Sequence, residues 1–257
     1  MAIDQILALK SAVDFEMPVF RVYRWKPYAI SLGHHQNPKQ LNLEKCARDG
    51  IDVVSRPTGG RAVLHAEEVT YSVIIPKNTE WYAADILSTY NSLSRGLLHG
   101  LRLFGINAQL VQRSGADLKN SDYKHHSACF SSSGQYEVAV DHKKLVGSAQ
   151  RHFEKSILQH GSILIGDYHL KLADYILMKT EVDRQEFQRQ LSEKTISISQ
   201  LVKTGVVWED LVEALKLGFQ NEFQIDLIES QLTPQELTEV NQLIKTITKI
   251  GGEKHAS

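Results

Sequence analysis

The sequence predicts an α+β fold, a mixed β-sheet flanked by helices. Three observations carry this. Short runs rich in β-branched and aromatic residues, several alternating with period two, gather in two blocks, residues 18–76 and 135–166. A long helical repeat, Asp85 to Phe104, separates the blocks. After Gly166 the strand pattern stops, and the apolar residues that follow recur at helical spacing.

The elements follow in order. Met1 to Lys10 reads as a short helix with Ile3, Ile6 and Leu7 on one face. Pro18–Trp25 alternates as a strand, and Tyr28–Gln36 contains a second that ends at Gly33. Asn42 to Arg48 is a short helix carrying Cys46 inward. Ile51–Pro57, Ala62–His65 and Val69–Pro76 continue one sheet, with Pro76 as the stop. In the long helix Ile86, Tyr90, Leu93, Leu97, Leu101 and Phe104 share a face, and Gly105 ends it. Residues 114–127 lack periodicity and read as a loop. Gln135–Val140 and the Lys144–Arg151 run form a hairpin about Asp141–Lys143, and Ile157–Gly166 is a further strand. Trp208, Leu211, Val212, Leu215 and Phe219 mark a helix. Thr233, Pro234 and Glu236 form a capping box before Val240, Leu243, Ile244 and Ile247.

The chain has 257 residues, 42% hydrophobic and 23% charged, with a formal net charge of −1. These values suit one soluble domain over 1–257, with a main body over about 1–225 and a helical segment over about 205–250. The charge excludes a global pull towards nucleic acid or anionic membrane. No window approaches a membrane-spanning apolar run. The two cysteines, with no signal-peptide pattern before them, point to free thiols and a cytoplasmic location. No spare amphipathic helix stands out, and a monomer is expected.

Four motifs could carry chemistry. In Arg56-Pro-Thr58-Gly59-Gly60-Arg61, followed by His65, adjacent glycines permit positive φ and close approach of a ligand to the main chain. A plain hairpin turn is the alternative, and the two arginines with His65 weigh against it. The motif has no Gly-Lys-Ser/Thr and no dinucleotide spacing. In Lys144–Gln150, strand alternation puts Lys144, Val146 and Ser148 on one face, and Gly147 and Ala149 keep the other low. The alternative is a surface lysine at a hairpin mouth. Cys129 lies in a polar, serine-rich stretch near Lys124, His125 and His126, where positive charge favours a thiolate. A packed thiol beside Phe130 is the alternative. His160-Gly161 sits within a strand, where a lone histidine is more often a hydrogen-bonded core group. The His34-His35 and His125-His126 pairs do not make a metal site, because adjacent strand residues point to opposite faces.

Taken together, Arg56–His65 with Thr70–Ile74, Ala128-Cys129-Phe130, Tyr136–Val140 with Lys143–Gln150, and Leu158–Leu164 resemble the biotin/lipoate protein ligase and lipoyl-transferase superfamily. The likeness runs from Met1 to about Ile250 and is greatest to the cysteine-dependent octanoyltransferases of Gram-positive type. It implies the biotin/lipoate protein ligase catalytic-domain fold and an acyltransferase of lipoate biosynthesis. The donor would be octanoyl-acyl carrier protein and the acceptor a lysine of a lipoyl domain, such as the glycine cleavage H protein. Cys129 would be the nucleophile and Lys144 its partner. Arg56, Thr58, Gly59, Gly60, Arg61, His65, Gly147, Ser148, Ala149, Gln150, His160 and Gly161 would bind substrate, with no cofactor and no metal. An ATP-dependent lipoate–protein ligase and a non-catalytic acyl-carrier or lipoyl-domain binder are the alternatives. Geometry adds a demand. If the chain turns near His142, Lys144 sits opposite Val140, about 36 Å of extended chain from Cys129 at ~3.3 Å per residue. Ser131–Gly134 must then fold back over the sheet.

Overall fold

The computed structural model describes residues 1–11, 17–82, 85–112 and 136–247. The α+β reading holds, with the strands divided between two sheets. The larger has six strands, all paired antiparallel, in the order β1 (Val19–Tyr23), β5 (Glu68–Pro76), β9 (Ser156–Leu164), β8 (Lys143–His152), β7 (Tyr136–Val140), β6 (Gln109–Gln112). The smaller has three, in the order β3 (Asp52–Ser55), β2 (Ala29–Leu32), β4 (Val63–His65). Here β2 pairs parallel with β3 and antiparallel with β4, so the mixed character resides in this sheet. The sequence reading ran Ala62–His65 and Val69–Pro76 into one sheet. The structure turns the chain at Ala66-Glu67 and sends the two segments to different sheets.

Alternation decides what each face of the large sheet meets. Val69, Tyr71, Val73 and Ile75 of β5, Ile163 of β9 and Val146 of β8 join one apolar core. The core's other half comes from α3 (Ile86–Leu103), through Leu93, Leu97 and Leu101, and from α6 (Trp208–Phe223), through Leu211, Val212, Leu215 and Phe219. The helical spacing read from the sequence is thus the buried stripe of both helices. The helices cross closely because Gly100 meets Gly218: a Cβ on Gly218 would lie 2.4 Å from the Gly100 Cα. A second core, with Ile30, Leu32, Leu64, Phe187 and Leu191, joins the small sheet to α4 (Glu181–Lys194). Between α4 and α6 runs the short α5 (Ile198–Leu201), and Ile198 is buried in the first core.

The opposite face of β5 and β9 is more polar. It presents Glu68, Thr70 and Ser72 from β5 and Ser156, His160 and Ser162 from β9, all buried. Polar groups can be buried there because other polar groups cover them. They come from the small sheet and from α1 (Ala2–Lys10). On α1, Ile6 and Leu7 are buried as expected, and Asp4 is buried with them. Its carboxylate accepts hydrogen bonds from Arg21, from Tyr23 (2.8 Å) and from Ser72 (2.7 Å). Burial alone would push this carboxyl up, but the amino-terminal ammonium and Arg21 outweigh it and hold it below the usual range.

Local rules account for the boundaries. The β7–β8 hairpin turns on Asp141 (φ 47°) and His142 (φ 63°), both left-handed, as a two-residue turn of right-handed strands requires. In α2 (Leu43–Arg48), Asn42 caps the Lys45 amide at 3.0 Å and Cys46 is buried. The capping box at α7 (Pro234–Ile247) forms as read: the Glu236 amide donates to Thr233 Oγ1 at 3.2 Å, and the Thr233 amide to Glu236 Oε2 at 2.6 Å. Among the described residues no helix is long and apolar enough to cross a membrane.

Candidate active site

A cavity open to solvent lies on the polar face of the large sheet. The small sheet supplies Ser31, Val63 and His65 to its walls, and the loop after β3 supplies Arg56. The large sheet supplies Thr70, Lys144, Gly147–Ala149 and His160–Ser162. The structure therefore gathers Arg56, His65, Lys144, Gly147, Ser148, Ala149, His160 and Gly161, as the sequence reading grouped them. Residues as far apart in the chain as Ser31 and Ser162 meet because β5 pairs with β9 and the small sheet folds over both.

Lys144 is buried, and its Nζ lies 2.9 Å from Glu137 Oε1; the two side chains are 7% and 3% exposed. The pairing differs from expectation. Val140 faces Lys143, Lys144 faces Ala139, and the register slips before Val138 pairs with Val146. Leu145 is the extra residue of this bulge. As a result Lys144 and Val146 do not share an environment: Val146 enters the apolar core, while Lys144 reaches Glu137 and the cavity. The Lys144 carbonyl also accepts the Ile196 amide at 3.1 Å, which ties the start of β8 to the segment after α4.

The Gly59–Gly60 turn is built from inside. Arg56 is 4% exposed. Its Nε and Nη2 donate to the Gly59 carbonyl at 3.1 and 2.9 Å, and Nη2 donates to the Arg61 carbonyl at 2.6 Å. Its Nη1 donates to the Ser31 carbonyl and to Ser31 Oγ, both at 3.0 Å. Arg56 thus holds the turn and also lines the cavity. Gly60 has φ 91°, which a side chain would strain. Gly33 packs beneath it, since a Cβ there would fall 2.0 Å from the Gly60 carbonyl oxygen. Gly59, Gly60 and Arg61 edge the site and do not line the cavity.

Thr58 Oγ1 meets His160 Nε2 at 2.7 Å, fastening the turn to β9. His160 is buried. Burial, with Arg56 nearby, lowers its pKa to about 3, so the ring is neutral at physiological pH. Gly161 has no room for a side chain: a Cβ would lie 2.5 Å from the Gly147 carbonyl oxygen and 2.6 Å from Tyr71. Ser148 turns its hydroxyl to Tyr71 OH at 2.8 Å. Gln150 is not brought to the cavity. Alternation directs it away from Ala149, and its amide donates to Gln159 Oε1 at 2.6 Å.

Cys129, the 114–127 segment and Ser131–Gly134 lie outside the described residues, as do His125 and His126. Cys46 is an inert contrast: burial and then Asp49 push its thiol up to about 11. The sequence reading missed Ser31, Glu68, Glu137 and Ser162. Glu68 had one local signal, its position three residues after His65 in a strand-like run. Ser31, Glu137 and Ser162 had none, because each is a polar residue within an alternating strand.

Comparison with known proteins agrees with this architecture. Residues 1–220 match the family described as lipoyl protein ligase A/B catalytic domain. The chain is 35% identical over 248 residues to octanoyltransferase LipM of Bacillus subtilis, covering 96% of this chain and 89% of that protein. It is 34% identical over 249 residues to octanoyltransferase LipM of Brevibacillus brevis, covering 96% and 90%. In fold it is similar to a bipartite lipoate protein ligase from Thermoplasma acidophilum, with a TM-score of 0.78, 20% identity and coverage of 100% and 92%. It is likewise similar to lipoate-protein ligase A bound with ATP, with a TM-score of 0.75, 20% identity and coverage of 97% and 92%. With the Gly-Gly turn, the buried lysine and the His-Gly strand in place around one cavity, the chain belongs to the lipoyl protein ligase A/B catalytic domain family.

Proposed function

We propose that the protein is an octanoyltransferase of lipoate biosynthesis. It would move an octanoyl group from octanoyl-acyl carrier protein to a lysine of a lipoyl domain, such as that of the glycine cleavage H protein. The chain would act as one catalytic unit, with Cys129 as the acyl carrier. Similarity to octanoyltransferases along 96% of the chain supports the reaction class. The observation that carries the chemistry is Lys144, a buried lysine held by Glu137 at the cavity wall.

The steps follow from charge. A free cysteine has a pKa of ~8.5 and is mostly protonated at neutral pH. A lysine ammonium beside it favours the thiolate. Glu137 sets an opposite charge against that ammonium where both side chains are buried. The Cys129 thiolate attacks the thioester carbonyl, and the carrier's pantetheine thiolate leaves, taking up a proton. The acceptor lysine, as the free amine, then attacks the Cys129 thioester. An amide forms, the Cys129 thiolate leaves, and the amine's proton passes to solvent. The amides of the exposed Gly59-Gly60 turn would receive the carbonyl oxygen as it gains charge. Gly147 and Ala149, with no bulk above the strand, would let the acyl chain lie along β8.

The test is incubation with octanoyl-acyl carrier protein without ATP, followed by mass spectrometry. An octanoyl adduct on Cys129, lost in Cys129→Ala, is expected. Lipoylation that requires ATP and survives Cys129→Ala would make the protein a ligase. Binding with neither outcome would make it a carrier-binding protein.

A further inference from the structure

Resting on the transferase reading for its chemistry, we propose that His65 and Glu68 are positioning residues: they act through Ser31 and Arg56 to set the Gly59–Gly60 turn. The case starts from a buried chain of hydrogen bonds whose proton order can be assigned. Its two ends are groups that only donate, the Trp25 indole and the Arg56 guanidinium.

At one end Trp25 Nε1 donates to Thr70 Oγ1 at 2.9 Å, so the Thr70 hydrogen goes to Glu68 Oε1 at 2.5 Å. Ser162 donates to the other oxygen, Glu68 Oε2. At the far end Arg56 Nη1 donates to Ser31 Oγ at 3.0 Å, and Ser31 Oγ lies 2.7 Å from His65 Nε2, to which it donates in the tautomer that places the ring hydrogen on Nδ1, facing Glu68. His65 then carries its own hydrogen on Nδ1 and donates it to Glu68 Oε1 at 2.7 Å. This order gives every hydrogen in the chain an acceptor and makes Glu68 an ionised acceptor of three donors. Trp25 lies flat on His65, with centroids 4.8 Å apart and planes 17° apart, and fixes the ring.

Serine, histidine and carboxylate in this order form the relay of a hydrolytic nucleophile. Here the serine oxygen already receives a guanidinium, and the residue is fully buried within β2. The relay instead ends on Arg56, and it links that buried cation to the negative charge of Glu68. With its charge balanced, the guanidinium can stay buried and draw in the Gly59 and Arg61 carbonyls. The peptide group is planar and trans, so a Gly59 carbonyl turned inward sends the Gly60 N–H outward. Glu68 thus governs, through His65, Ser31 and Arg56, how the turn offers its amide to a substrate.

The experiment measures single-turnover acylation from octanoyl-acyl carrier protein without ATP in four proteins: wild type, Ser31→Ala, Glu68→Gln and the double variant. Circular dichroism establishes that each is folded at the assay temperature. Each single change is expected to slow acylation at least tenfold. The double variant is expected to be no slower than the slower single, because both cut one chain. Acylation of Ser31→Ala within twofold of wild type, multiplying effects in the double variant, or labelling of Ser31 by a fluorophosphonate would overturn the proposal. If wild type itself forms no adduct, the transferase reading fails and the relay is judged by NMR. Glu68→Gln should then move the Gly60 amide resonance and change the His65 tautomer from Nδ1–H. An unmoved Gly60 signal refutes the coupling.

Discussion

Replacing Glu137 by glutamine tests the ion pair on which the proposed chemistry depends. Lys144 Nζ and Glu137 Oε1 are 2.9 Å apart, with side chains 7% and 3% exposed. At that distance, with an effective dielectric of about 20, two unit charges attract by about 6 kcal/mol. Desolvation of both groups offsets much of this, so the intact pair contributes little net stability. Removing one partner is different, because the Glu137 attraction is lost while the desolvation cost of the buried Lys144 charge remains. Glu137→Gln should therefore lower the unfolding free energy by about 3–5 kcal/mol. The Glu137→Leu/Lys144→Met double variant should recover most of that loss, since a well-packed apolar pair replaces the charges. Urea unfolding followed by circular dichroism measures both, and adding the Glu137→Leu and Lys144→Met single variants closes a cycle that isolates the coupling. Acyl-adduct formation on Cys129 should fall in Glu137→Gln even where the protein is folded, because Glu137 holds the Lys144 ammonium in place at the cavity wall. A cost under about 1 kcal/mol for Glu137→Gln, with no recovery in the double variant, would refute the reasoning.

Two further outcomes are expected. His160 has a folded pKa of about 3 against an ordinary 6.5, so the unfolded chain binds a proton that the folded chain refuses. Stability is fully present above pH 6.5 and is lost as pH falls towards 3. Between pH 7.5 and 5, wild type should lose about 2 kcal/mol more than His160→Gln, measured by urea midpoints at both values. Gly33→Ala should impair acyl transfer at least tenfold while leaving most of the fold intact. Its Cβ would fall 2.0 Å from the Gly60 carbonyl oxygen and displace the turn, and unchanged turnover would show that the turn is not part of the site.

Much of the fold was legible because its signals are local. Helix faces follow from spacing, which is why Leu93, Leu97, Leu101, Leu211, Leu215 and Phe219 could be assigned to a core before their partners were known. The capping box at Thr233–Glu236 and the turn at Asp141-His142 involve residues within one turn of chain. The Gly-Gly turn and Lys144 were found from residue type and order. The division into two sheets was not legible. Both segments around Ala66-Glu67 alternate like strands, and alternation reports a buried face without naming the neighbour.

Residue types and their order therefore determined the elements, the family likeness and most of the cavity wall. Tertiary structure alone decided which polar residues serve it. Ser162 and Glu68 stand 94 positions apart, Thr58 and His160 stand 102 apart, and strand pairing brings each couple together. Glu137 became the partner of Lys144 through a bulge that no spacing rule anticipates. The physical reason is that a polar side chain in a strand reads the same whether it faces water or a buried charge. Only the opposing strand's register sets the electrostatics that give it a role.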